Sequence, residues 1–173
     1  MTFNEMVFSE QDTDAISIDD QKRIKKLFLE SLGVATSAIP DAFFEPCIYY
    51  DKKGKTFSES KQMKVSLNMI KGSSYDIYAQ KTWIETFAML KRASRYIKNG
   101  DVTKKKYFTG LKKTIKNKHL AIRLIKAKDG FYYVDGNGNH RVTLYKMMYY
   151  SDITNGLDCS NDYWLYAMVE DEL

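Results

Sequence analysis

The sequence predicts an α+β fold, a small mixed sheet with flanking helices, on three observations. Apolar residues recur at helical spacing over 19–32 and again over 80–98. The period then shortens to two near residue 120, where LAIRLIKA is followed by Asp129-Gly130 and FYYV, the pattern of a β-hairpin. A glycine-containing turn and a helical run follow over 135–150, and the chain ends in the apolar stretch YWLYAMV at 163–169. At 173 residues and 44% hydrophobic content, the chain suits one domain with a core of its own.

Each element has a local reason. In DDQKRIKKLFLESL (19–32), Ile24, Leu27, Phe28 and Leu32 share one face, Asp19 or Asp20 can cap the start, and Gly33 is a stop. Residues 33–46 hold both prolines and read as a connection. CIYY (47–50) reads as a short strand and DKKGK (51–55) as a turn, whereas 56–75 fits no single pattern. Residues 80–98 predict one continuous helix, with Trp83, Ile84, Phe87, Ala88, Leu90 and Ile97 facing inward and Asn99-Gly100 ending it. Asp101 can cap a further helix over 102–117 whose stripe is Val102, Tyr107, Phe108, Leu111 and Ile115. In the strand at 120–127, Ile122 and Leu124 face one way and Arg123 and Ile125 the other.

The formal charge of +5 hides a strong asymmetry. Residues 1–20 and 151–173 each carry six acids and no Lys or Arg, so all 27 bases lie between them. Residues 91–118 hold eleven bases against the single acid Asp101. A block of this kind attracts polyanions, and Lys91, Arg92, Arg95, Lys104, Lys105, Lys106, Lys112, Lys113 and Lys116 are the candidate nucleic-acid contacts. The competing reading is a solvated helix face balanced by the acidic ends.

Composition excludes several classes. Cys47 and Cys159 do not make a disulfide scaffold, and with His119 and His140 they match no zinc-finger spacing, so no metal site is expected. No stretch has the roughly 20 apolar residues of a membrane span, and the acidic N-terminus is unlike a signal peptide. These features predict a cytoplasmic protein without a membrane partner.

The segment with chemical content is DGNGNHR (135–141). Gly136 and Gly138 permit positive φ and close backbone approach to a ligand. The first amides of the following helix lack intrahelical partners and carry the positive end of its dipole, which favours an anion, phosphate above all. Gly136, Asn137, Gly138, Asn139, His140 and Arg141 are therefore the candidate phosphate-binding residues. Arg141 can grip a phosphate with two hydrogen bonds, and Asp135 can hold the loop or orient His140 or Arg141. The same stretch also reads as a polar turn with Asn139 as N-cap.

With the residues before it, this loop resembles the ParB/sulfiredoxin superfamily. The matched stretch is LKKTIKNKHLAIRLIKAKDGFYYVDGNGNHRVTLYKMM (111–148), with Leu111, Ile115, Ile122 and Leu124 at apolar positions of the family and Asp135-Gly136 and His140-Arg141 at its box. The last strand is loosely similar to the family's closing strand. The resemblance implies a ParB/sulfiredoxin-like core over 101–173 and a mainly helical N-terminal elaboration over 1–100, packed as one compact unit. It also implies a phosphate or nucleotide pocket at the box, with ATP or CTP and Mg²⁺ as its cofactors.

Departures from the family narrow the function. Sulfinic-acid reduction needs a cysteine immediately before His-Arg, and Asn139 stands there, so that chemistry is excluded. The partition proteins' Gly-Glu-Arg-Arg box and arginine motif do not occur, and the loop is one residue longer than the short form. The leading expectation is a nucleic-acid- or nucleotide-phosphate-binding protein of a phage or plasmid that interferes with host DNA-processing or defence machinery. Its partner would be nucleic acid or a nucleic-acid-processing protein complex, and a homodimer is compatible with it. A second expectation is a nuclease or NTP hydrolase with His140 as general acid or base, Arg141 stabilising charge and Asp135 orienting His140 or binding a metal. A third is a protein-binding inhibitor with a decayed pocket.

Overall fold

The computed structural model describes Val7, residues 16–99 and residues 105–173, the side chains of 105–107 apart. Helix α1 (Ile18–Ser31) begins one residue before the expected start. Its cap is Ser17, whose hydroxyl oxygen accepts the Asp20 amide, and Asp19 and Asp20 instead supply negative charge to the first turn. Strands β1 (Pro46–Tyr49), β2 (Lys61–Ser66), β3 (Ile70–Ser73) and β4 (Lys81–Thr82) follow. After them come helices α2 (Trp83–Ala88), α3 (Ala93–Lys98) and α4 (Lys105–Leu111). The hairpin is β5 (Arg123–Lys126) and β6 (Tyr132–Val134), and α5 (Asn139–Thr154) and β7 (Trp164–Asp171) complete the fold.

All seven strands form one mixed sheet in the order β2-β7-β5-β6-β3-β1-β4. The fold is α+β, as the sequence predicts. Before residue 101 the described elements are mixed, with helices α1–α3 alongside four strands. Residues 46–82 supply four of the seven strands, in the same sheet as β5–β7. The ambiguous segment 56–75 yields β2 and β3. In β2, a sheet edge, only Val65 is fully buried, which removes the apolar run that marks a central strand.

The helix expected over 80–98 is broken, although Trp83, Ile84, Phe87, Ala88, Leu90 and Ile97 are all buried as expected. Residues 81–82 pair as β4, and Thr82 and Glu85 form a reciprocal capping box that starts α2. A continuous helix would join the Arg92 amide to the Ala88 carbonyl. The buried Lys25 ammonium takes that carbonyl at 2.9 Å, and the Arg92 amide donates to His140 Nε2 at 3.2 Å. Two distant side chains thus replace one helical hydrogen bond, and the chain turns between α2 and α3.

The helix expected over 102–117 also ends early, at Leu111. The Lys112 and Lys113 amides tighten onto Thr109 and Gly110, and the Ile115 amide leaves the helix for Gln62 Oε1. Val102 and the side chain of Tyr107 lie outside the described residues.

Helix α5 is the centre of the core. Val142, Leu144, Tyr145, Met147 and Tyr150 are buried, packed with Leu165, Ala167 and Val169 of β7 and with Trp83, Ile84 and Phe87 of α2. A second, smaller cluster of Tyr50, Ile125, Ala127 and Tyr133 lies on the opposite sheet face and contains no helical residue. Leu124 and Ile125 fall in different clusters, as the alternation requires. No helix among the described residues is long and apolar enough to cross a membrane.

Candidate phosphate-binding site

The DGNGNHR loop lies where three parallel strands end. Tyr49 of β1 pairs with Ser73 of β3, and Ser73 with Val134 of β6. The carboxyl ends of parallel strands in such sheets are common ligand positions. The Asp129-Gly130 hairpin forms as expected, with Gly130 at φ +87° and Asp129 accepting the Phe131 amide.

Most polar groups of the loop serve its own architecture. Arg123 clamps both sides, its amide donating to the Asn137 carbonyl and its carbonyl accepting the Asp135 amide, both at 2.9 Å. Asn137 Nδ2 donates to the carbonyls of Ala121 at 3.0 Å and His119 at 3.4 Å. Asp135 accepts Lys52 Nζ at 2.9 Å and the Ser74 hydroxyl.

Helix α5 starts differently from expectation. Its N-cap is Gly138, at φ +123°, and Asn139 is its first helical residue. The buried Asn139 side chain does not cap the helix; its Oδ1 accepts the Ser73 hydroxyl at 2.8 Å. Gly138 is required on two counts. Its φ is one that side chains rarely adopt, and a Cβ there would stand 2.8 Å from Cγ2 of the buried Ile122. Gly136, at φ +76°, faces open space.

His140 Nε2 accepts a hydrogen bond from the Arg92 amide, which a ring nitrogen does only when it carries no proton. This bond ties the first turn of α5 to the Arg92 end of α3. Arg141 is half-buried in a cleft of about 190 Å³ together with Lys113, Lys116, Thr114, Asn117 and Tyr166. Arg141 and part of the basic block, remote in sequence, therefore share one concave surface.

The rest of the block is spread out. Lys91, Arg92 and Arg95 are exposed at the α2–α3 junction and on α3. Lys112 sits over the Trp164 ring, Nζ to centroid 5.3 Å. Lys104 and the side chains of Lys105 and Lys106 lie outside the described residues. Sequence reasoning missed Lys52, Ser73 and Ser74, which hold Asp135 and Asn139. The only local signal was Gly72-Ser73-Ser74 at a possible strand end. Among the described residues, no group of three or more His, Cys, Asp or Glu side chains is gathered that could hold a metal ion. Cys47 and Cys159 are both buried free thiols.

The cleft residues fit a nucleotide's phosphates in chemistry, since Arg141, Lys113 and Lys116 are cationic donors and Thr114 and Asn117 neutral ones. Compared with family models, curated proteins and solved structures, the chain matches none.

Proposed function

We propose that this protein is a ParB/sulfiredoxin-like binding protein that holds the phosphates of a nucleic acid or nucleotide at the start of α5. The observation that carries the reading is the cleft that unites Arg141 with Lys113 and Lys116. Three cations there bear directly on an anion, and the amides opening a 16-residue helix lie one residue away. The Arg92 amide bond to His140 also brings the exposed Arg92 to the start of α5. The setting that the family resemblance suggests is a phage or plasmid effector acting on host DNA-processing or defence machinery.

The geometry favours binding over catalysis. Asp135 is engaged by Lys52 and Ser74, and His140 Nε2 is occupied by the Arg92 amide. A base with that lone pair committed must first break a structural hydrogen bond.

Fluorescence anisotropy with labelled single-stranded and duplex DNA, and competition by ATP or CTP with Mg²⁺, tests the reading. Arg141→Ala and Lys113→Ala/Lys116→Ala are expected to weaken binding and to lower the slope of log K against log salt by about 0.7–0.9 for each phosphate that is no longer neutralised. Affinity independent of salt, or unchanged in both variants, refutes it.

A further inference from the structure

The sheet face opposite the helix-side core carries a second feature. Along β7, Leu165, Ala167 and Val169 point into the helix-side core, so Trp164 and Tyr166 point to the opposite face, where both are half-exposed. Their rings meet edge to face at 5.6 Å. Lys64 stands directly across from Tyr166 in β2, with its Nζ 4.1 Å from the Trp164 ring centroid. Lys112 approaches the same ring from the turn after α4. Tyr166 also lines the Arg141–Lys113–Lys116 cleft. One continuous strip therefore runs from two aromatic rings flanked by lysines to a cationic cleft.

We propose that this strip is a track for single-stranded nucleic acid, with phosphates in the cleft and unpaired bases stacked on Tyr166 and Trp164. The proposal rests on the phosphate-binding reading above and names the form of its ligand. Charge complementarity selects a polyanion, and the aromatic rings select among polyanions. In a duplex the base faces are already stacked on one another and cannot reach a sheet surface, whereas splayed bases can. The lysine ammoniums over Trp164 are attached to flexible stems, so a base can take their place while they move to the adjacent phosphates. An open sheet face bearing aromatics is also a geometry on which single strands are commonly read.

The experiment uses the full chain with a labelled oligo(dT) strand and the corresponding dT·dA duplex. Trp164→Ala and Tyr166→Ala are expected to weaken oligo(dT) binding about 5- to 150-fold, the range for removing one base stack. Trp164→Phe should restore most of that affinity, and in Trp164→Ala, which lies outside the phosphate cleft, duplex binding should change less than twofold. Oligo(dT) should also quench the fluorescence of Trp164, while Trp83, buried in the core, is insensitive. The quenching is measured on the unaltered protein and stands even if an alanine variant fails to fold. Absence of quenching, unchanged oligo(dT) affinity in a folded Trp164→Ala, or tighter binding of duplex than single strand overturns the track. Salt-dependent binding of both forms with Trp164 indifferent removes the track and leaves the phosphate site standing. If neither form binds, the track falls and with it the nucleic-acid half of the phosphate reading.

Discussion

Replacing Gly138 by alanine tests whether the DGNGNHR loop is a packed structure or an open one. The new Cβ would meet Ile122 Cγ2 at 2.8 Å and Cγ1 at 3.1 Å, and Ile122 is 2% exposed, so it has nowhere to turn. Overpacking of this kind costs about 1–3 kcal/mol. The φ of +123° adds strain of about 1–3 kcal/mol for any residue with a Cβ. Together they predict a loss of about 3 kcal/mol in urea unfolding, or a drop of about 6–12 °C in Tm for a chain of this size. The two contributions can be separated. Ile122→Ala alone costs about 2–5 kcal/mol through its cavity, but it removes Cγ1 and Cγ2. Gly138→Ala in that background meets only the Ile122 Cβ, at 3.2 Å, and should cost little beyond the φ strain. The double-mutant cycle should therefore show about 1–2 kcal/mol of favourable coupling. A Gly138→Ala protein within about 0.5 kcal/mol of the parent, or strictly additive variants, would refute the packing argument.

Other perturbations give equally definite expectations. Gly72→Ala would put a Cβ 1.7 Å from the Ile48 carbonyl oxygen and force β1 from β3, so circular dichroism should show no native fold. His140→Ala removes the acceptor of the exposed Arg92 amide, which water can replace, and should cost about 0.5–1.5 kcal/mol in urea unfolding, with faster hydrogen exchange at Arg92. Burial holds the Lys146 ammonium down at about 8, so the unfolded chain binds more protons and stability should rise with pH from about 8 to 9. Above 9 the Cys47 thiol, pushed up to about 11 by burial, cancels that rise; above 10 the buried tyrosines, Tyr145 among them at about 12, turn it into a loss. A urea series showing a monotonic fall above pH 8 would contradict this. Lys146→Met should abolish the rise and gain up to about 3 kcal/mol at neutral pH.

What the sequence disclosed and what it withheld divide along the range of the interactions. The hairpin at Asp129-Gly130, the extent of α1 and the last strand rest on neighbours within a few residues, and they were legible. The break between α2 and α3 depends on Lys25, 63 residues from Ala88, and on His140, 48 residues from Arg92. No local pattern encodes such partners. Strand β2 escaped notice because an edge strand with one buried residue carries little periodicity. The strand–turn–helix at 131–154 was legible as a motif, but the partners of its side chains were not. Asn139 has the chemistry of an N-cap, yet Ser73 arrives from β3 and takes its oxygen, leaving Gly138 to start the helix.

The spending of the loop's side chains on structure has a consequence for recognition. Asp135, Asn137 and Asn139 have fixed partners, and Gly138 is pressed against Ile122. A loop held in this way is preorganised, so little ordering cost falls on the binding step. It also has few side chains left with which to discriminate bases. On the proposed reading, the phosphate contacts then come from backbone amides and from Arg141, Lys113 and Lys116, which read charge and not sequence. Asn139→Ala and Arg141→Ala should accordingly separate the two roles. The first should lower stability while leaving the salt slope of binding intact, and the second should lower the slope. If Asn139→Ala altered the slope in a folded protein, its side chain would be a ligand contact and the loop would be more than a scaffold.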